Sequence, residues 1–315
     1  MSDGEGLETS ATAAITEVLR LLSAAGYDFV TPTPATHALV SARRTRARPG
    51  NLRDILGWNR PFASEDLPPP LLAALARAGA VQSLDDGALR STLRVSALDG
   101  RLMAHSARGA ARDAVFLGPD SYRFVRLLDR VLADGREVGR AADIGVGAGA
   151  GALAVAARRP GAEVVGIDVN RAALRYMSAN AAHAGLPVAA VIGSGLTDVG
   201  GEFDLILANP PYVAGTGGRT YRDGGGLLGA ELAISWVTEG LARLRPGGSF
   251  VLYTGSAVVD GRDVVLDALK QMRGPERRLE YEELDPDVFG SMLGRDAYAD
   301  VERIAAVGAT LTRLS

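Results

Sequence analysis

The sequence predicts an α/β protein in two parts: a smaller N-terminal accessory domain over residues 1–112, and a mostly parallel sheet with covering helices over 113–315. Three observations carry this. From about Val115 onward, short apolar runs alternate with stretches of helical periodicity, the pattern of repeated strand–helix units. Those runs are apolar almost throughout, as strands buried on both faces are. Before Val115 the texture is broken by prolines, arginines and turn signals into short pieces.

In the first part a helix is predicted at 12–25, followed by the proline-marked segment Thr31-Pro32-Thr33-Pro34. The stretch from Ser41 to Arg48 carries Arg43, Arg44, Arg46 and Arg48 and ends at Pro49-Gly50. A second helix is predicted at 70–78, where Leu71, Leu72, Leu75 and Ala78 share a face. Strands at 89–98 and 102–106 meet at Asp99-Gly100, a strong hairpin signal. Helix followed by hairpin suggests a winged-helix-like unit.

In the second part strands are predicted at 141–144, 162–167, 188–192, 203–208 and 249–253. Helices fall between them at 152–159, 171–184 and 227–244. A helix at 264–272 then precedes two strands, 278–284 and 301–312, able to pair antiparallel at the sheet edge.

Composition bounds the function. Of 315 residues 47% are hydrophobic and 23% charged, the balance of a globular protein with a substantial core. The net charge of −3 gives no global positive field to draw nucleic acid or an anionic membrane. Cysteine is absent, which excludes disulfides and thiolate metal sites and fits a reducing cytoplasm. The acidic, polar start is the reverse of a secretory signal. The apolar stretch 11–26 is interrupted by Glu17 and Arg20, so no run approaches the roughly 18 apolar residues of a membrane span. The expectation is a cytoplasmic protein with no membrane partner and no metal; His37, His105 and His183 show no ligand spacing.

The chemistry begins at the string from Asp143 to Gly151, between a strand and a helix. Alternating glycines there let the chain turn sharply, expose its N–H groups and admit a ligand closely. With Gly145, Gly147 and Ala150 the string reads as the nicotinamide-dinucleotide form; with Asp143, Gly145, Gly147 and Gly149 it reads as D-x-G-x-G-x-G. The next strand ends at Asp168, whose carboxylate can accept from both hydroxyls of a ribose. Asn170 beside it is a helix-cap candidate and a second candidate contact. Together these point to a nucleoside ligand without naming it.

The strand at 203–208 runs into Asn209-Pro210-Pro211-Tyr212. An amide or aromatic amine has a delocalised lone pair and two N–H donors. The Asn209 side-chain oxygen and the Pro210 carbonyl can accept one each and so aim the nitrogen. Two prolines fix φ near −65° and hold Asn209 out of the α region, and Tyr212 offers a flat face to a planar group.

On the ordered set of glycine loop, Asp168 and N-P-P-Y, the segment from Val115 to Arg313 resembles the class I S-adenosylmethionine-dependent methyltransferases. These include release-factor glutamine methyltransferases, ribosomal RNA guanine-amine methyltransferases and adenine-amine DNA methyltransferases. The resemblance implies a Rossmann-like seven-stranded sheet, mostly parallel with an antiparallel edge strand, and S-adenosyl-L-methionine as cofactor. It implies cofactor contacts from Asp143, Gly145, Gly147, Gly149, Asp168, Asn170, Ser194 and Asn209, and an acceptor site from Asn209, Pro210, Pro211 and Tyr212. Ser194, with Asp198 as substitute, stands where relatives have a carboxylate for the adenine amine. The segment from Val115 to Tyr122 lacks the isoleucine-proline-arginine-proline-glutamate pattern usual in release-factor enzymes. The loop from Tyr221 to Gly226 can flex over a substrate or merely enter a helix.

The implied reaction is methyl transfer to a planar nitrogen of a protein glutamine, a nucleobase or a small molecule. Two alternatives stay open. An NAD(P)-dependent oxidoreductase uses the same glycine loop but leaves 209–212 unexplained. A noncatalytic nucleic-acid-binding module keeps the fold but does not need the acceptor motif.

Overall fold

A computed structural model describes residues 3–43, 48–107, 113–212 and 226–314. Arg44, Arg46 and positions 221–225 of the glycine-rich loop lie outside the described residues. In chain order the elements are α1 (Asp3–Ala24), α2 (Pro34–Arg43), α3 (Pro69–Arg77), β1 (Val81–Ser83), β2 (Leu89–Ser91), β3 (Leu93–Leu98) and β4 (Arg101–Ser106). There follow α4 (Pro119–Val131), β5 (Arg140–Ile144), α5 (Ala150–Arg158), β6 (Glu163–Asp168), α6 (Arg171–Ala184), β7 (Ala189–Ile192) and β8 (Phe203–Ala208). The chain ends with α7 (Gly226–Gly229), α8 (Glu231–Leu241), β9 (Leu244–Val259), β10 (Arg262–Asp263), α9 (Val264–Lys270), β11 (Arg277–Asp285) and β12 (Arg303–Arg313).

The chain divides into two compact units. The first is Met1–Tyr122 with Gly147–Ala150 and Arg171–Pro187; the second is Arg123–Val146, Gly151–Asn170 and Val188–Ser315. These units do not follow a cut at residue 112, because α6 shares the core of the first. There Val18, Leu19, Leu22, Leu71, Leu75, Leu93 and Val95 pack with Ala179. Asn180, fully buried, bonds both backbone groups of Ala104 on β4 (2.7 and 3.0 Å) and the Ala148 carbonyl (2.8 Å).

The β3–β4 hairpin turns through Asp99 and Gly100, both at positive φ (54° and 72°), as the Asp-Gly signal predicts. The strand predicted at 89–98 breaks at Thr92. Ser91 Oγ accepts from the Leu93 amide (3.1 Å) and donates to its carbonyl (2.6 Å), so a side chain competes for the ladder there. Consequently β2 pairs with β1 instead. Helix α2 was hidden by its prolines: Pro34 starts it, and Thr33 Oγ1 accepts the Thr36 amide (3.2 Å).

The second unit is built on a sheet of order β11-β12-β9-β8-β5-β6-β7. The pairs from β9 to β7 are parallel, while β12 runs antiparallel to both neighbours. Most strands lie within two residues of their predicted positions. The predicted helix at 227–244 is shorter. Leu227 and Leu228 adopt left-handed conformations before α8, and Leu244 already pairs with Phe203 as β9 begins. Strand β9 is longer than predicted because β12 pairs with it as far as Val258. Among the described residues, no helix is long and apolar enough to cross a membrane.

Candidate active site

Four neighbouring strands of the second unit end along one line. Ile144 of β5 pairs with Ile167 of β6 and with Ala208 of β8, and Asp168 pairs with Ile192 of β7. Gly145, Asp168, Gly193 and Asn209 therefore leave the sheet side by side at its carboxyl edge. Strands sit about 4.8 Å apart, so Asp168 and Asn209 flank the glycine turn at a separation of about 10 Å.

At the centre, Gly145, Gly147 and Gly149 have φ of 69°, 53° and 92°, a backbone that L-residues with side chains rarely adopt. The amides of Gly145 and Val146 donate to the Ile167 carbonyl (2.8 and 3.0 Å), fastening the turn to the β6 tip. Beneath it, Asp143 is 2% exposed and its Oδ2 accepts the Ala152 amide in the first turn of α5 (2.7 Å). A Cβ on Gly151 would sit 2.6 Å from that oxygen and from the Phe124 ring, so only glycine lets helix and carboxylate meet. Burial, opposed by the Ala152 amide and reinforced by the charge of Asp168, pushes the Asp143 carboxyl up to about 7. Asp143 thus braces the turn from inside.

Asp168 closes β6. Its Oδ1 accepts the Asn170 amide (2.9 Å) and its carbonyl accepts the Gly193 amide (3.1 Å). Beside this carboxylate two apolar side chains remain uncovered, Val169 at 51% and Ile192 at 45% exposure. Ser194 is exposed and its carbonyl accepts from Trp236 Nε1 (2.9 Å). Asp198 is also exposed, with Oδ2 2.8 Å from the position of a Gly193 Cβ. A carboxylate flanked by apolar surface, next to a turn of left-handed glycines, suits the sugar and base of a nucleoside.

On the other side, Asn209 and Tyr212 are half-buried and Pro210 is buried. The Tyr212 ring lies 5.2 Å from that of Phe289 at 48°, and it approaches Gly255 so closely that a Cβ there would be 2.7 Å from its edge. Phe289 itself holds a left-handed backbone (φ 62°), rare for an aromatic residue. Trp236, Gly255 and Phe289 were not singled out by the sequence pattern. Each meets its partner across a long sequence separation and leaves no local signal. The histidines are not gathered: among the described residues no group of three or more His, Cys, Asp or Glu could hold a metal.

The strand order separates two folds that share a glycine loop. A dinucleotide-binding sheet runs 3-2-1-4-5-6; here the antiparallel β12 is inserted between β9 and β11. With Asn209–Tyr212 at the β8 tip, this defines the fold: a Rossmann-like, mostly parallel sheet with an antiparallel edge. Residues 125–273 match the family model described as the methyltransferase small domain. The release factor glutamine methyltransferase of Deinococcus radiodurans is 39% identical over 127 residues, 37% of this chain and 45% of the relative. That of Rhodospirillum rubrum is 44% identical over 77 residues, 24% of each. Ribosomal RNA small subunit methyltransferase C of Shewanella loihica is 33% identical over 112 residues, 36% of this chain and 30% of the relative. The chain thus spans less than half the length of these relatives. A solved 16S rRNA N2 G1207 methyltransferase of T. Thermophilus, in complex with AdoMet and guanosine, aligns with a TM-score of 0.46 at 20% identity, over 76% of this chain and 60% of that one.

Proposed function

We propose that the protein transfers a methyl group from S-adenosyl-L-methionine to a planar nitrogen, as an N-methyltransferase. The observation that carries this reading is the shared line of strand tips, which sets Asp168 and Asn209 on opposite sides of the glycine turn. Asp168 accepts from the ribose hydroxyls, and the left-handed glycines 145, 147 and 149 allow close approach of the backbone. Val169 and Ile192 offer apolar surface to the base, with Asn170, Ser194 and Asp198 the polar groups beside it. Asp143 keeps the turn in shape. When bound, the cofactor supplies an electrophilic methyl on a sulfonium.

On the acceptor side, the Asn209 oxygen and the Pro210 carbonyl each take one N–H of the substrate nitrogen, fixing its orientation. The prolines hold both acceptors still, and Tyr212, backed by Phe289 and Gly255, walls the planar group. The names of the relatives support a glutamine amide or a guanine amine as acceptor, and the net charge of −3 favours a protein over a large RNA. We assign substrate selection to the N-terminal part.

The test is incorporation of labelled methyl from S-adenosylmethionine into cell extract, fractionated into protein, RNA and small molecules. Label should appear in protein as N-methylglutamine and should vanish with Asp168→Ala. Label confined to RNA would replace the acceptor and keep the enzyme; absence of label in every fraction would overturn the reading.

A further inference from the structure

Helix α8 and the turn after it hold the segment that leaves β7. Trp236 Nε1 donates to the Ser194 carbonyl (2.9 Å). Glu239 Oε1, three residues on and on the same helix face, accepts the Leu196 amide (2.8 Å) and the Thr197 hydroxyl (3.3 Å). Arg243 donates to the Leu196 carbonyl (3.2 Å). The Trp236 ring has a second contact: a Cβ on Gly145 would lie 2.7 Å from its Cη2, at a position whose φ of 69° already favours glycine. Strand β6 lies between β5 and β7 in the sheet, so one indole, 8% exposed, touches the segments on both sides of the tip that carries Asp168.

We propose that Trp236 is a positioning residue of the donor site, holding the Gly145 turn and the Ser194–Leu196 segment in the one arrangement that accepts a nucleoside across Asp168. The inference rests on the donor-site reading above. The indole does two tasks: its ring fills the space left by the missing Gly145 side chain, and its N–H fixes the Ser194 carbonyl. Phenylalanine keeps most of the first and loses the second. A role confined to packing predicts lower stability of Trp236→Phe without altered ligand affinity; a positioning role predicts the converse.

The chain contains two tryptophans, Trp58 and Trp236, so Trp58→Phe leaves Trp236 as the single indole reporter. In that full-length protein, saturating S-adenosylhomocysteine should quench or shift the emission. By titration, Trp236→Phe should weaken S-adenosylhomocysteine binding about five- to tenfold, the worth of one hydrogen bond, with the melting temperature of the free protein nearly unchanged. If the parent binds while Trp236→Phe binds within a factor of two of it, the inference is overturned and the donor site stands. If the parent does not bind, donor-site reading and inference fall together. If Trp236→Phe does not fold, the reporter decides alone: emission unmoved at saturation overturns the inference.

Discussion

Asp143 shows how a single side chain is committed by its surroundings. A carboxylate at the end of β5 looks from sequence like a ligand contact; the structure buries it and gives its oxygen to the Ala152 amide. Burial pushes its carboxyl up to about 7 in the folded chain, from an ordinary value of 3.8 in the solvated, unfolded one. The sign follows from this order. In acid, below the unfolded value, both states are protonated and the group costs nothing; as pH climbs towards 7 only the unfolded state ionises, so stability is lost over that window. Asp143→Asn cannot ionise. Its melting temperature relative to the parent should therefore rise between about pH 4 and pH 7 and level off above, and a constant difference across that range would exclude a buried carboxyl that resists ionisation. Gly255 is the complementary case, where absence of a side chain matters. Its φ is permissive, so Gly255→Ala is strained only by the 2.7 Å approach to the Tyr212 ring. Displacing that ring should raise the acceptor KM and lower transfer while leaving S-adenosylhomocysteine affinity within a factor of two. Equal loss of both would make Gly255 a general structural residue.

At the scale of elements, the strand tips were legible and their supports were not. Apolar runs ending in Gly145, Asp168 and Asn209-Pro210 declare where a buried parallel strand stops, because chain direction must change there through residues with special backbone freedom or rigidity. Strand β9 ran past its predicted end because its length is set by pairing with β12, a partner some fifty residues away. Helix α6 was found at its full length, 171–184, yet its allegiance was invisible. An apolar face says that a helix is covered but not by what. Asn180 marks the answer, since it satisfies Ala104 and Ala148 from a fully buried position. Asn180→Ala leaves three buried backbone groups without that partner and should cost about 2–4 kcal/mol, read as a fall in the urea midpoint with unchanged slope. A change below about 0.5 kcal/mol would show that these groups find other partners.

For the molecule as a whole, one sheet edge sets out by strand the residues proposed for the donor and acceptor sites: Ile192, Asp168, Gly145 and Asn209 follow each other across β7, β6, β5 and β8. That arrangement makes the two proposed functions separable. Asn209→Ala removes one acceptor oxygen from the β8 tip and leaves the glycine turn and Asp168 in place. The decisive measurement pairs titration of S-adenosylhomocysteine with methyl-label transfer on this variant and its parent. Binding should stay near-parental while transfer falls about 10²- to 10³-fold, the scale for losing one preorganised polar contact at a reacting centre. Transfer at the parental rate would contradict this separation, and so would loss of binding and transfer together.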